Sequence, residues 1–486
     1  MVSTELVPVA KVGGLADMVG SLARALIGLE HDVRCALPRY REVDDNLPAD
    51  AKVVDRDTVS FPLQGSMTEC TVFRVEHEVL PAPLLLVDHP LFRRHGVYDD
   101  PDTREGWPDN GLRWAVFCRA VHAAILGGEW SPEIVHAHDH QAAPLTGLLR
   151  WSTGPGFPRH PGTVFTLHNL GYQGIEPPYW IAESGLPWEM YYPTGPLEFH
   201  GNVNLMKIGV EAADRLTTVS PRYAEEIRLS EEFSGGLQGA LEARADRITG
   251  ILNGIDTEAW DPATDPHLPF HYSAERPVNK SRIRAALRRE IGLKVPHEPV
   301  PLAGMVGRLT SQKGLDLLLA VIGPFLDSGA QMAILGSGES RFETSLEELQ
   351  ARYAGRLAVR IGFDEGLAHR IEAGSDIFVM PSRYEPCGLN QLYSLRYGTI
   401  PVVRAVGGLS DTVIDLDEFP AQATGFVFRL YEPVELFKTL HRALRAWKNR
   451  RLWKELIGRG MRADFSWDRS AHAYVEVYEA ALADAS

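Results

Sequence analysis

The chain has 486 residues, 44% of them hydrophobic and 23% charged, which is room for two domains with a core each and an ordinary composition for a soluble globular enzyme. A formal net charge of −15 with no polybasic run argues against nucleic acid as a partner. Four scattered cysteines (Cys35, Cys70, Cys118, Cys387) without a C-x-x-C give neither a disulfide framework nor a zinc knuckle, and point to a reduced, cytoplasmic protein. No apolar run reaches the ~18 residues of a membrane span, and "MVSTELVPVA" lacks the basic-then-apolar pattern of a signal peptide.

In chain order, Leu15, Val19, Leu22, Ala23 and Leu26 follow helical spacing, directly behind "VGGLADM" (12–18). "DVRCAL" (32–37) and "PLLLVDH" (83–89) are predicted strands. Trp114, Phe117, Val121 and Ile125 predict a helix, and strands follow at 133–138, 162–168 and 215–220. "LNGID" (252–256) and a Pro/His/Asp-rich stretch (261–272) place a hinge near 250–255. Beyond it, strands are predicted at 301–307, 331–336, 357–362, 376–382 and 399–405, with helices between. Continuous apolar strands alternating with helices predict parallel sheets covered on both faces. The fold class is therefore α/β, two Rossmann-like doubly wound domains at 1–250 and 251–465. A second heptapeptide, "VGGLSDT" (406–412), sits in a late β-to-α loop, whereas the first sits in the earliest one. Whole-domain duplication does not explain the pair.

Ligands of open α/β sheets bind outside the carboxyl ends of the strands. His138 and Asp139 follow one predicted strand, and His168 and Asn169 the next. Gly307 and Arg308, with Lys313 close behind, follow the first strand of the second half. "PSRYEPCGLNQ" follows another, carrying Glu385, Cys387, Gly388 and Leu389. Chemistry thus falls on the same edge of both halves, and two such edges facing each other would make a cleft. In each heptapeptide, paired glycines (Gly13 and Gly14 in the first) admit close backbone approach to a ligand. The helix start behind them offers free amides to phosphate or hydroxyl groups. The plainer alternative is a tight turn. Lys11 precedes the first pair, and Asp17 is placed to cap or orient that loop.

"HAHDHQ" raises the question of a metal, since His136 and His138 share one face of an extended strand. No second His/Asp set accompanies it, so no metal is expected.

"KVGGLADMVGSLARAL", "HAHDHQAAP", "TLHNLGYQG", "ADRLTTVSP", "ILNGID", "VGRLTSQKGLDLL", the 369–413 block and "FSWDRSA" resemble bacterial glycogen synthases and plant starch synthases, in family order from about residue 3 to 478. The resemblance implies a GT-B glycosyltransferase whose C-terminal helix, 466–486, crosses back to the first domain. It implies transfer of glucose from a nucleoside diphosphate glucose to the 4-hydroxyl at the non-reducing end of an α-1,4-glucan, with retention, no metal and no cofactor. ADP-glucose is the favoured donor. UDP-glucose shares every diphosphate and sugar contact named here, and a 2-epimerase or a silent glucan-binding homologue on the same architecture remains the alternative. Neither membrane nor nucleic acid is an expected partner.

By the same resemblance, Arg308 and Lys313 neutralise the leaving diphosphate, with Lys11 assisting. Glu385 serves the donor sugar, and Gly388 and Leu389 give backbone amides to the diphosphate beside Cys387. His168 contacts the glucose hydroxymethyl oxygen, with Asp139 and Asn169 as further donor-side candidates. Phe363 stands where the family often has Tyr, able to stack on the base. Tyr172 and Trp188, in an aromatic segment spanning 171–200, suit the glucan acceptor or a small local core. Family members carry several apolar residues before the segment matching "STEL"; only Met1 and Val2 precede it here, so a stunted first strand is expected.

Overall fold

The computed structural model describes residues 1–127, 131–152 and 160–485. Two compact units emerge, Met1–Gly254 with Trp467–Ser486, and Ile255–Ser466. Both are α/β with parallel sheets, as the alternation of apolar runs and helices predicts.

In the first unit, Val2 alone stands for the central strand. It bridges in parallel to Ala36 on one side and Ala137 on the other. Its amide donates to the His136 carbonyl (2.8 Å), its carbonyl accepts from His138 (3.1 Å), and Ser3 donates to Ala36 (3.1 Å). This one residue joins two four-stranded sets. On one side lie Cys35–Pro38 and Leu84–Asp88; on the other lie Ile134–His138, Gly162–Leu167, Arg215–Thr218 and Ile248–Gly250. The strand order therefore reverses at Val2, where a doubly wound sheet opens to ligands.

An antiparallel hairpin, Lys52–Leu63 with Ser66–Glu76, extends the first set and departs from the all-parallel expectation. Its outer strand is largely exposed, so it lacks the apolar run that marks a buried strand. Its turn residues, Gln64 and Gly65, both have positive φ (48° and 81°), the conformation that matches hairpin twist.

The helix Gly14–Gly28 buries Leu15, Val19, Leu22, Ala23 and Leu26, the stripe seen in the sequence. Pro221–Leu229 begins at Ser220, whose hydroxyl accepts from the Tyr223 amide (2.9 Å), with Pro221 at the first helical position. The C-terminal helix Trp467–Ala485 packs on Gly162–Leu167 within this unit, and the Tyr478 hydroxyl meets His136 Nδ1 at 2.8 Å.

The second unit has six parallel strands in the order Leu357–Ile361, Gln331–Gly336, Leu302–Val306, Ile377–Met380, Ile400–Arg404, Phe426–Phe428. Leu315–Asp327 and Pro433–Lys448 cover its core through Leu318, Ile322, Leu436 and Leu440; each such side chain contributes roughly 1.5–3 kcal/mol on burial. The order reverses between Leu302–Val306 and Ile377–Met380. Among the described residues, no helix is long and apolar enough to cross a membrane.

Candidate active site

The second unit assembles its charged residues at that reversal point. Gly307 and Arg308 leave the end of Leu302–Val306, and Gly314, in the left-handed region at φ 72°, turns the chain into Leu315–Asp327 and sets Lys313 at the strand edge. Gly314 has no substitute there, since a Cβ would lie 2.0 Å from the Pro381 carbonyl oxygen. From the neighbouring strand comes Glu385, only 5% exposed. Lys313 Nζ contacts both its oxygens, at 2.9 and 2.6 Å, and the Ser382 hydroxyl donates to Oε2 at 2.9 Å. Lys313 and Glu385 are therefore one buried-edge ion pair, a coupling that sequence reasoning, which treated them as separate charges, missed. Arg308 is exposed just past the end of Leu302–Val306, donating to Gln312 Oε1 (3.1 Å).

Gly388 turns at φ 70° into the helix Asn390–Arg396, for which Leu389 is the cap residue. Asn390 donates to the Val306 carbonyl at 2.7 Å and so ties this helix start to the strand that precedes Arg308. The Cys387 side chain is buried, and its carbonyl accepts from Gln391 Nε2 (3.0 Å). Phe363 follows Leu357–Ile361 and is 85% exposed, an open aromatic face at the same edge.

In the first unit, Lys11 Nζ pairs with Asp17 Oδ1 at 2.9 Å, so Asp17 orients Lys11 from the first turn of its helix. The amides of Val12 and Gly13 both donate to Glu5 Oε2 at 2.7 Å, and the Tyr98 hydroxyl donates to Oε1 at 2.8 Å. Burial pushes the Glu5 carboxyl up, against the pull of these hydrogen bonds. Some amides of both heptapeptides serve the protein itself. In the first, the amides of Val12 and Gly13 serve an internal carboxylate. In the second, Gly408 donates to the carbonyls of Glu385 (3.2 Å) and Pro386 (3.1 Å). Glu5 and Tyr98 were not singled out in the sequence. The signal for Glu5 was there, since it lies just past the central strand, but a strand reduced to Val2 hid it.

His168 closes the end of Gly162–Leu167. Asp139 Oδ1 accepts its backbone amide at 2.8 Å and also holds that of Asn169. Asp139 does so from φ 56°, a conformation that costs a non-glycine residue about 1–3 kcal/mol. Burial raises its carboxyl to about 7, opposed by those two amides. Burial lowers His168 to about 3. Asn169 Oδ1 accepts from Gly171 (2.9 Å) in a local turn. The Asp139 and Asn169 side chains thus shape the loop that carries His168.

The aromatic segment divides. Trp180 is buried and donates to the Gly111 carbonyl (2.8 Å), while Tyr172, Tyr179, Trp188 and Tyr192 are exposed. The segment is a small core and an open aromatic surface at once. His136 and His138 lie side by side, ring centroids 4.0 Å apart, and no group of three His, Cys, Asp or Glu among the described residues stands ready to hold a metal.

Comparisons with known proteins match both halves of the chain. The starch synthase catalytic domain family matches residues 1–243, and glycosyl transferases group 1 matches 291–456. Glycogen synthase of Anaeromyxobacter sp. (strain Fw109-5) is 44% identical over 486 residues, covering 99% of each chain. That of Marinobacter nauticus is 44% identical over 492 residues, covering 99% of this chain and 97% of its own. Among solved structures, the catalytic domain of starch synthase IV from Arabidopsis thaliana, bound to ADP and acarbose, aligns with a TM-score of 0.90 at 32% identity, covering 99% of this chain and 98% of its own. Sucrose-phosphate synthase from Thermosynechococcus elongatus, 19% identical with a TM-score of 0.61 over 98% of this chain and 97% of its own, shares the fold alone. With full-length identity above 40% to glycogen synthases and the GT-B fold in common with starch synthase IV, the chain belongs to the glycogen and starch synthase family of glycosyltransferases.

Proposed function

We propose that the chain transfers glucose from ADP-glucose to the 4-hydroxyl at the non-reducing end of an α-1,4-glucan, with retention of configuration. The observation that carries this reading is the Lys313–Glu385 pair at the strand reversal of the second unit, where Arg308 follows the end of Leu302–Val306. The choice of ADP rests on the starch synthase IV relative, whose structure holds ADP and acarbose.

In the transfer, the bond from C1 of glucose to the β-phosphate oxygen breaks, and its electron pair stays on the phosphate. Arg308 and Lys313 are fixed cations for that charge; one positioned electrostatic partner is worth ~10²–10³-fold in rate. Gly388 and Leu389 add backbone amides from the helix start. The glucan 4-hydroxyl attacks on the face the phosphate leaves, and its proton passes to the departing phosphate oxygen. Glu385, held in place by Lys313 and Ser382, offsets positive charge on the sugar ring. His168 contacts the hydroxymethyl oxygen, and Lys11, oriented by Asp17, adds a cation. Phe363 stacks on the base, and the exposed Tyr172 and Trp188 serve the glucan.

The test measures glucose incorporation into glycogen from ADP-glucose and UDP-glucose, with Glu385→Ala as control. Incorporation mainly from ADP-glucose, lost in Glu385→Ala, is expected. Preference for UDP-glucose would overturn the donor assignment, and full activity in Glu385→Ala would overturn the site.

A further inference from the structure

His138 stands out in the sequence as a strand-end residue and as half of a metal-like motif, and the chemistry above leaves it unused. Its ring faces that of His168, Nδ1 to Nε2, at 3.1 Å. It is 0% exposed, and its Nε2 has no hydrogen-bond partner among the described residues. Behind it lies His136, both of whose nitrogens are engaged, Nδ1 with the Tyr478 hydroxyl and Nε2 with the Thr166 hydroxyl (2.6 Å). Burial holds all three imidazoles well below their ordinary basicity, so near pH 7 each is neutral and carries one ring proton.

Two neutral rings meeting nitrogen to nitrogen share one N–H donor. In one arrangement His168 donates through Nε2 and the His138 proton sits on its own Nε2. That strands a buried N–H without an acceptor, at a cost of about 1–3 kcal/mol. In the other, His138 donates through Nδ1 and its Nε2 is left as a bare lone pair, the milder of the two defects. We propose that His138 is a positioning residue: it donates from Nδ1 to Nε2 of His168 and so fixes the His168 proton on Nδ1, making His168 a permanent N–H donor to a hydroxyl oxygen of the transferred sugar.

Two successive residues at one strand end then set His168 completely. Asp139 holds its backbone amide, and His138 fixes the proton on its ring. This inference rests on His168 contacting the sugar's hydroxymethyl oxygen. It adds a consequence for selectivity. A site built around a fixed donor rejects an analogue that lacks the matching oxygen, because the donor is left unpaired. A nucleotide pentose without the hydroxymethyl group meets that penalty only while His138 keeps the His168 proton on Nδ1.

Two measurements on the full chain decide it. In long-range ¹H–¹⁵N spectra of ¹⁵N-histidine-labelled protein, the His168 signals are those lost in His168→Gln. They are expected to show a protonated Nδ1 and a bare Nε2; a protonated Nε2 overturns the proposal without any change to His138. The second measurement is kcat/KM for ADP-glucose relative to ADP-xylose. In His138→Leu, ADP-glucose is expected to lose about tenfold or more and ADP-xylose little, so the preference for glucose collapses. In His138→Asn, whose amide N–H can stand where Nδ1–H stood, the preference is retained. Equal losses on both donors in His138→Leu, or a collapse in His138→Asn as deep as in His138→Leu, overturn the proposal. His168→Ala separates the two levels. If the preference survives there, the contact between His168 and the hydroxymethyl oxygen is wrong. If it collapses there but not in His138→Leu, only the role of His138 falls.

Discussion

The two heptapeptides "VGGLADM" and "VGGLSDT" share four residues at their start and need their glycines for different reasons. At Gly13 a Cβ would meet nothing within 4 Å, and φ is an ordinary −145°. At Gly407 and Gly408 a Cβ would lie 2.0 Å from the Glu385 carbonyl oxygen and 1.9 Å from that of Cys387. The first loop is open and braced from below by Glu5; the second is pressed against the backbone that carries Glu385. A glycine pair before a helix therefore reports close approach, but the partner can be the protein's own main chain.

The sharpest way to break this comparison is Gly408→Ala. The methyl group has a backbone oxygen in its path and no flexible side chain to yield, so a loss of about 3 kcal/mol or more is expected. Thermal unfolding reads the stability. A near-wild-type midpoint would show that the second loop is as open as the first. Because Gly408 donates to the Glu385 and Pro386 carbonyls, residual folded protein is also expected to lose transferase activity.

The next effect in size concerns the brace. Glu5→Ala leaves the amides of Val12 and Gly13 and the Tyr98 hydroxyl without their acceptor. About 2–3 kcal/mol of destabilisation is expected, since stranded buried donors cost about 1–3 kcal/mol each and this loop can partly relax toward water. Glu5→Gln, which keeps an acceptor oxygen, is expected to recover most of it. Equal losses in both variants would mean that the carboxylate charge, not its acceptor geometry, holds the first loop.

Asp139 braces amides in the same manner as Glu5, but at the His168 loop, and its pH dependence is open to measurement. Its folded value of about 7 lies above the unfolded value near 4. Stability from this group is fully present below about pH 4 and is lost as pH rises through about 7. Asp139→Asn keeps a carbonyl acceptor and tolerates the left-handed backbone. The variant's unfolding midpoint, relative to wild type, should therefore climb between pH 4 and 7 and level off above. A difference that stays flat across that range would show that Asp139 ionises at its ordinary value.

Much of this architecture is legible in the sequence. Every strand expected in the two parallel sheets is present, because buried strands are written as unbroken apolar runs. The hairpin Lys52–Leu63/Ser66–Glu76 is not legible that way: exposed on its outer strand, it is specified by the Gln64–Gly65 turn rather than by hydrophobicity. The strand-end rule put Arg308, Lys313, Glu385 and His168 on the right edges. It could not say which side chains pair, because Lys313 and Glu385 lie 72 positions apart and meet only through a strand crossover. Nor could it show that Asp139 holds two loop amides from a positive φ, which only the folded chain reveals.

The smallest expected stability change separates the two loops most cleanly. Gly13→Ala adds a methyl group to open space in a backbone conformation that alanine adopts freely. As a helix cap residue Gly13 has a slight edge over alanine, offset by the entropy alanine removes from the unfolded chain, so the midpoint should move by no more than about 0.5 kcal/mol equivalent. Activity need not follow. If a donor or acceptor group approaches this backbone closely, the methyl intrudes on the ligand alone, and KM should rise severalfold while stability holds. Unchanged KM and kcat would mean that no ligand comes near Gly13, and the openness of the first loop would then owe nothing to the sugar nucleotide.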